Sequence, residues 1–142
     1  MPEKTRLRKN KGPLHVFFSY SYKDHKKIRP AIQRASQILG IHPIIASEVI
    51  SVGESIVGKI RRTVNLSDLV IVVFSKDVSP AVGYELGMAT NQGKPLLIFA
   101  EKGTPISHFV TSRFVVKFFE DSGDLAHLVV QSIQKIQHEI EP

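Results

Sequence analysis

Residues 67–89 read SDLVIVVFSKDVSPAVGYELGMA, and this stretch decides how the rest of the chain is interpreted. Every position from Leu69 to Phe74 is apolar, and most of them are β-branched. A run that is apolar at every position is typical of a strand buried on both faces of a parallel sheet. After a polar loop, Ser79-Pro80 favours a helix start. The stretch therefore predicts strand, loop and helix, with Glu85 in the second turn of that helix.

The rest of the chain repeats this alternation of strand and helix. Further strands are predicted at residues 14–18, 41–46, 95–99 and 113–119, further helices at 25–39, 54–66 and 124–140, and a loop or one short helix at 101–112. Pro43 cannot donate a ladder hydrogen bond and Lys117 is charged, so we expect the second and last strands at opposite edges. The alternation implies parallel strands. We therefore expect an α/β, flavodoxin-like open sheet of five parallel strands, order 2-1-3-4-5, with helices on both faces.

Three features define the first predicted helix. Asp24 is a residue type that caps helices, and Pro30 suggests that the first regular turn begins near it. Apolar residues then recur at helical spacing, which predicts one buried face; they are Ile28, Ile32, Ala35 and Leu39.

The predicted strand order also locates a site. The chain reverses direction between strands one and three, and open α/β sheets bind ligands outside the carboxyl ends of strands at such a point. This topology places the loop Ser19–Asp24 beside the loop Ser75–Ser79, with Glu85 at the rim.

Composition limits the chain to one domain. It has 142 residues, of which 42% are hydrophobic, and its net charge is +6. Of that charge, +4 lies in the first twelve residues, which hold five basic residues and one acidic residue. Because these residues have no apolar periodicity and no aromatic side chain, we expect a disordered basic arm at 1–12 and no nucleic-acid partner. Residues 13–142 are expected to form a single domain.

What the sequence lacks excludes several classes of function. Without cysteine there are no disulfides, thiol nucleophiles or thiolate metal sites. No stretch resembles a membrane span or a secretory signal, so we expect a cytoplasmic protein. The first and third strands do not end in the acidic residues of a phosphorelay receiver, and no P-loop or dinucleotide-binding glycine motif follows the first strand. The six histidines lack metal-ligand spacing, so we expect neither a metal nor a cofactor.

Two stretches carry a family resemblance. VFFSYSYKD, from Val16, resembles the first signature of Toll/interleukin receptor (TIR) domains. IIASEVISVGESIVGKIRRTVNLSDLVIVVFS, from Ile44, resembles the body of the same pattern, in which Ser-Asp enters an apolar strand that ends in serine. The resemblance covers residues 14–138, and it places Glu85 where prokaryotic NAD-cleaving TIR domains have their glutamate.

The segment around Glu85 departs from this pattern. TIR domains often have Trp-Cys shortly before the glutamate, whereas this chain has Ala81-Val82-Gly83 and no tryptophan. GYELGMA, followed by GKP from Gly93, resembles nucleoside 2-deoxyribosyltransferases, which cleave N-glycosidic bonds with a glutamate nucleophile. Both resemblances imply that Glu85 is catalytic.

The TIR resemblance implies an NAD glycohydrolase or cyclase in immune or stress signalling, with NAD as substrate. One carboxylate can stabilise the oxocarbenium-like transition state, and nicotinamide leaves as a neutral base, so no partner acid is required. The expected substrate-binding residues are Ser19, Ser21, Tyr22, Lys23, Ser55 and Ser75. From the sequence alone, Ser75 either binds ribose or phosphate or only ends its strand, and the first loop either contacts phosphates or is an ordinary polar loop.

Three functions remain open at this point. The first is an enzyme that cleaves NAD, and Glu85 favours it. The second is a non-catalytic TIR interaction module that assembles through surface helices and the loop Ser47–Gly53. The third is a glycosyl transferase acting on nucleosides or nucleotides. The length of the chain predicts homotypic self-assembly or a separate sensor or effector protein as partner.

Overall fold

The computed structural model describes residues 13–21, 24–45, 56–75, 87 and 93–140. Its strands are β1 (His15–Ser19), β2 (His42–Ile45), β3 (Leu69–Phe74), β4 (Leu96–Glu101) and β5 (Val116–Phe119). Its helices are α1 (His25–Leu39), α2 (Ile56–Leu66), α3 (His108–Arg113) and α4 (Ser122–Ile140). No described helix is both long enough and apolar enough to cross a membrane.

The five strands form one parallel sheet in the order β2-β1-β3-β4-β5, as predicted. Strand β3 lies at the centre, and every residue from Leu69 to Phe74 is buried. This is what its uninterrupted apolar run requires, because side chains on both faces of a central strand contact helices. The predicted edge positions of Pro43 on β2 and Lys117 on β5 are also confirmed.

Two apolar layers cover the sheet. On one face, side chains of β1, β3 and β4 pack with α1 and α4 around residues that include Ile32, Ile71 and Ile133. On the other face, alternate residues of the same strands pack with Val64 of α2 and Val110 of α3. Because successive strand residues point to opposite faces, each face of the sheet is assigned to a particular set of helices.

The start of α1 differs from the prediction. The helix begins at His25, so Pro30 lies inside it and does not mark its first turn. The turn before Pro30 is held by tertiary contacts, since Ile28 is buried in the core and Lys27 forms an ion pair with Glu101. The buried face of α1 is confirmed at Ile28, Ile32 and Ala35.

The other boundaries shift by a few residues. Strand β4 runs on to Glu101, β5 begins at Val116, and α3 is the short helix expected in residues 101–112. Ser107 caps α3, because its Oγ accepts a hydrogen bond from the Val110 N–H at 3.4 Å. Of the helix predicted to follow β3, Gly87 is described and is helical. The other residues from 76 to 92 lie outside the described part of the chain.

Candidate functional site

The carboxyl ends of β1, β3 and β4 gather polar side chains at one edge of the sheet. Ser19 is the last residue of β1, Ser21 follows it, and Ser75 follows β3; all three are buried. Strands β1 and β3 are direct neighbours, with Ser19 in register with Val72. Because the chain reverses between these two strands, this edge is the switch point at which open α/β sheets bind ligands.

A hydrogen bond joins the first loop to the end of β3. The Ser75 hydroxyl donates to the Asp24 carboxylate, across 51 positions of sequence. This contact brings together the described ends of the two loops that the sequence predicted to be neighbours. Ser75 therefore contacts a partly buried carboxylate at the switch point, and its predicted role in binding ribose or phosphate stays a prediction.

The prediction that Asp24 caps α1 with its side chain is wrong. Asp24 occupies the N-cap position, with φ −99° and ψ 11°, but its side chain makes no capping hydrogen bond. Its carboxylate is directed to Ser75, and its backbone N–H donates to the Ser21 carbonyl at 2.9 Å. The residue type of Asp24 indicated the start of the helix correctly. Its side chain, however, contacts Ser75 at the end of β3 and not the backbone of the helix.

An ion pair between Lys27 and Glu101 connects α1 to the end of β4. Phe74 is in register with Ala100, so Ser75 and Glu101 are neighbouring residues just beyond that pair. By alternation both point to the sheet face that α1 covers, as Val73 and Phe99 do. The sequence did not indicate the pairing of Lys27 with Glu101, because no local pattern relates positions 74 residues apart.

An aromatic pair lies beside this polar group. The Tyr20 hydroxyl and His25 Nδ1 are 2.6 Å apart, and their rings stack with centroids 5.9 Å apart at an interplanar angle of 17°. Arg29 lies 3.3 Å from His25 Nε2. The His25 ring therefore lies between the Tyr20 hydroxyl and the Arg29 guanidinium.

The turn after β4, residues 102–104, contributes further polar groups near this end of the sheet. Its backbone closes with a 2.9 Å hydrogen bond from Thr104 N–H to the Glu101 carbonyl, and Gly103 takes φ +90°, which favours glycine. The Thr104 hydroxyl is buried and has no hydrogen-bond partner among the described residues. Lys102 donates to Glu120 at 2.9 Å, and this hydrogen bond to the carboxylate raises the pKa of the exposed Lys102.

The structure therefore shows where some of the predicted binding residues lie, while their role in binding stays a prediction. It brings Ser19, Ser21 and Ser75 to the predicted edge and adds Asp24, Lys27 and Glu101. The remaining predicted residues lie outside the described part of the chain and stay predictions; they are Tyr22, Lys23, Ser55 and Glu85. Within the described ranges, no group of three or more histidine, aspartate or glutamate side chains is arranged to hold a metal ion.

The sequence matches no protein-family model and no curated protein. Solved structures do resemble it. The TIR domain of the Toll-related receptor TRR-2 from Hydra magnipapillata has a TM-score of 0.71 and 14% identity, over 86% of this chain and 97% of that one. The CMP N-glycosidase BcmB from Clostridium botulinum has a TM-score of 0.63 and 14% identity, over 83% of this chain and 98% of that one.

The TIR domains of the activated Roq1 resistosome are a third structure of this kind. Their TM-score is 0.55 and their identity 18%, over 86% of this chain and 71% of that one. At identities of 14–18%, these likenesses establish the fold alone. The chain has a TIR-like α/β fold, as its two signature stretches led us to expect.

Proposed function

We propose that this protein hydrolyses the N-glycosidic bond of a nucleotide, and that NAD is its first candidate substrate. The observation that carries the proposal is the Ser75–Asp24 hydrogen bond, which fixes a carboxylate and a hydroxyl at the switch point of the sheet. Such groups suit the hydroxyls of a ribose, because the carboxylate has acceptor sites left after it accepts from Ser75. The segment that bears Glu85 leaves β3 directly after Ser75.

The chemistry requires a carboxylate near ribose C1′, and we assign that role to Glu85. When the bond from C1′ to the nicotinamide nitrogen breaks, its electron pair moves to the ring, and nicotinamide leaves as a neutral base. Positive charge develops on the sugar, and a carboxylate stabilises it. Water then adds to C1′ and loses a proton, which gives ADP-ribose. Intramolecular attack in place of water gives a cyclised product.

Likenesses in sequence and in fold support this assignment. GYELGMA resembles the glutamate segment of nucleoside 2-deoxyribosyltransferases, and the region from Val16 to Ser75 resembles TIR domains. In fold, the chain resembles both TIR domains and a CMP N-glycosidase. N-glycosidic cleavage is the activity of the CMP N-glycosidase, and it is also the activity that both sequence resemblances imply for this chain.

Incubation with separate substrates tests the proposal. Purified protein is incubated with NAD, with CMP, or with a deoxynucleoside and a second free base, and the products are separated by chromatography. Release of nicotinamide from NAD or of cytosine from CMP supports hydrolysis and identifies the substrate. Base exchange between deoxynucleosides would instead indicate a transferase. Absence of all three reactions, with the protein folded, would contradict an enzymatic function.

A second candidate is a TIR interaction module that assembles without chemistry. Strand β5 lies at the sheet edge, and Phe118 on it is 49% exposed, beside the still more exposed Val115. Apolar side chains on an edge strand favour contact with another chain. The likeness to resistosome TIR domains supports self-assembly as a second activity of the same domain.

A further inference from the structure

We infer that Lys27 binds a phosphate group of the substrate, so that the site selects nucleotides over nucleosides. This inference rests on the proposed function and gives it a substrate class. From the sequence, Ser21, Tyr22 and Lys23 in the first loop are possible phosphate contacts. Lys27 was not among them, because its position at the site depends on β4.

Helix spacing and strand order bring Lys27 close to the Asp24–Ser75 pair. Asp24 and Lys27 are three residues apart at the start of α1, a spacing that places side chains on one face of a helix. Asp24 contacts Ser75 beyond β3, and Lys27 contacts Glu101 at the end of the adjacent strand β4. The two pairs therefore lie at the ends of adjacent strands, whose backbones are about 4.8 Å apart, so we expect a phosphate on a ribose bound at the Asp24–Ser75 pair to be within reach of Lys27.

The charges of the cluster also favour a phosphate at Lys27. The described cluster holds two carboxylates, Asp24 and Glu101, and one ammonium group, that of Lys27. Carboxylates stabilise the positive charge that develops in the transition state. Without Lys27, however, these two carboxylates would repel the negative phosphate of the substrate. An ammonium group beside the carboxylates allows the same site to accept an anionic substrate.

The exposure of Lys27 and its number of N–H donors leave it able to bind an anion. The Lys27 side chain is 43% exposed, whereas that of Glu101 is 14% exposed. A lysine ammonium has three N–H donors, so its bond to Glu101 leaves donors for an anion, and lysine is a frequent phosphate ligand. Glu101 therefore orients Lys27 and also competes with the phosphate for it.

This competition predicts opposite effects for the two partners of the ion pair. Lys27→Met removes the cation and should weaken the binding of nucleotides. Glu101→Gln keeps a hydrogen-bond acceptor for Lys27 but removes the competing negative charge, so it should strengthen nucleotide binding. If the ion pair only stabilised the packing of α1 near β4, the two substitutions would not change nucleotide affinity in opposite directions.

The experiment is calorimetric titration of the full chain with AMP, adenosine, CMP and cytidine. For whichever of AMP and CMP binds the wild type, we expect Lys27→Met to raise the dissociation constant about tenfold. This is the scale of losing one charge-assisted hydrogen bond. We expect Glu101→Gln to strengthen nucleotide binding about threefold, a surface ion-pair effect, and to leave the nucleosides unchanged. Lys26→Met is the matched control, since it removes an equal charge from an exposed neighbouring position and should change nothing.

The outcomes separate this inference from the proposed function. Equal nucleotide affinity in wild type and Lys27→Met overturns the inference, as does weakening by Glu101→Gln or failure of wild type to bind either nucleotide. Thermal unfolding of each variant shows that it is folded when it is titrated. Binding needs no turnover, so an enzyme that hydrolyses nucleotides without depending on Lys27 would refute the inference and retain the function.

Discussion

At the scale of single residues, Glu85 carries the catalytic prediction. Glu85→Gln keeps the size of the side chain but removes its charge, so kcat for NAD should fall by roughly 10²-fold or more, the scale of losing one well-placed electrostatic group. KM should change less, because glutamine still hydrogen-bonds ribose hydroxyls. Turnover and a thermal unfolding curve are measured on the same sample. Turnover equal to wild type in a folded variant would remove Glu85 from the mechanism.

The Ser75–Asp24 contact gives a second prediction at this scale. Ser75→Ala removes the donor and leaves a partly buried carboxylate without it, which should lower the free energy of unfolding by about 1–3 kcal/mol. Denaturant unfolding of Ser75→Ala, Asp24→Asn and the double variant measures the coupling between the two residues. We expect the double variant to cost less than the sum of the single ones. Strict additivity would show that the hydrogen bond contributes nothing.

At the scale of elements, α1 joins the sheet by its apolar face and by polar contacts at its first turn. The helix offers a matched pair of isoleucines, since Ile32 is 2% exposed and Ile38 is 59% exposed. Ile32→Ala should lower the free energy of unfolding by about 2–5 kcal/mol, because it leaves a cavity against the sheet. Ile38→Ala should stay within about 0.5 kcal/mol of wild type. Equal losses in chemical denaturation would contradict the orientation of α1.

For the whole molecule, residues 1–12 are predicted to be dispensable. Because they have no apolar periodicity, we expect them to bury too little apolar surface to contribute to stability. A protein that begins at residue 13 should therefore keep its melting temperature within a few degrees and cleave the same substrate at the same rate. Differential scanning calorimetry and the turnover assay check this together. A larger fall in melting temperature would mean that this segment packs on the domain and that the predicted domain boundary is misplaced.

Assembly is the second prediction for the whole molecule. Phe118 on the edge strand β5, the exposed Val115 just before it, and the likeness to resistosome TIR domains lead us to expect self-association. Light scattering across a concentration series, with and without NAD, should show a mass that rises with concentration. A monomer at every concentration, with no partner chain co-purifying, would count against assembly.

The amino-acid sequence by itself determined the fold. The apolar run from Leu69 to Phe74 is typical of a buried central strand, which it forms, and Pro43 places its own strand at an edge because it lacks an N–H donor. Both signals are local and follow from the chemistry of one residue or one short run. Pro30 shows where a local rule fails, because burial of Ile28 holds the turn before it in the helix.

Tertiary structure alone decided which polar groups meet. Ser75 contacts Asp24 across 51 positions, and Lys27 contacts Glu101 across 74. Such pairings depend on which strands are neighbours and on their register, and no local pattern of residues encodes either. The sequence could therefore place serines and a possible cap at the edge of the sheet. The pairing of Asp24 with Ser75, and that of Lys27 with Glu101, follow only from the contacts that the start of α1 makes at the ends of β3 and β4.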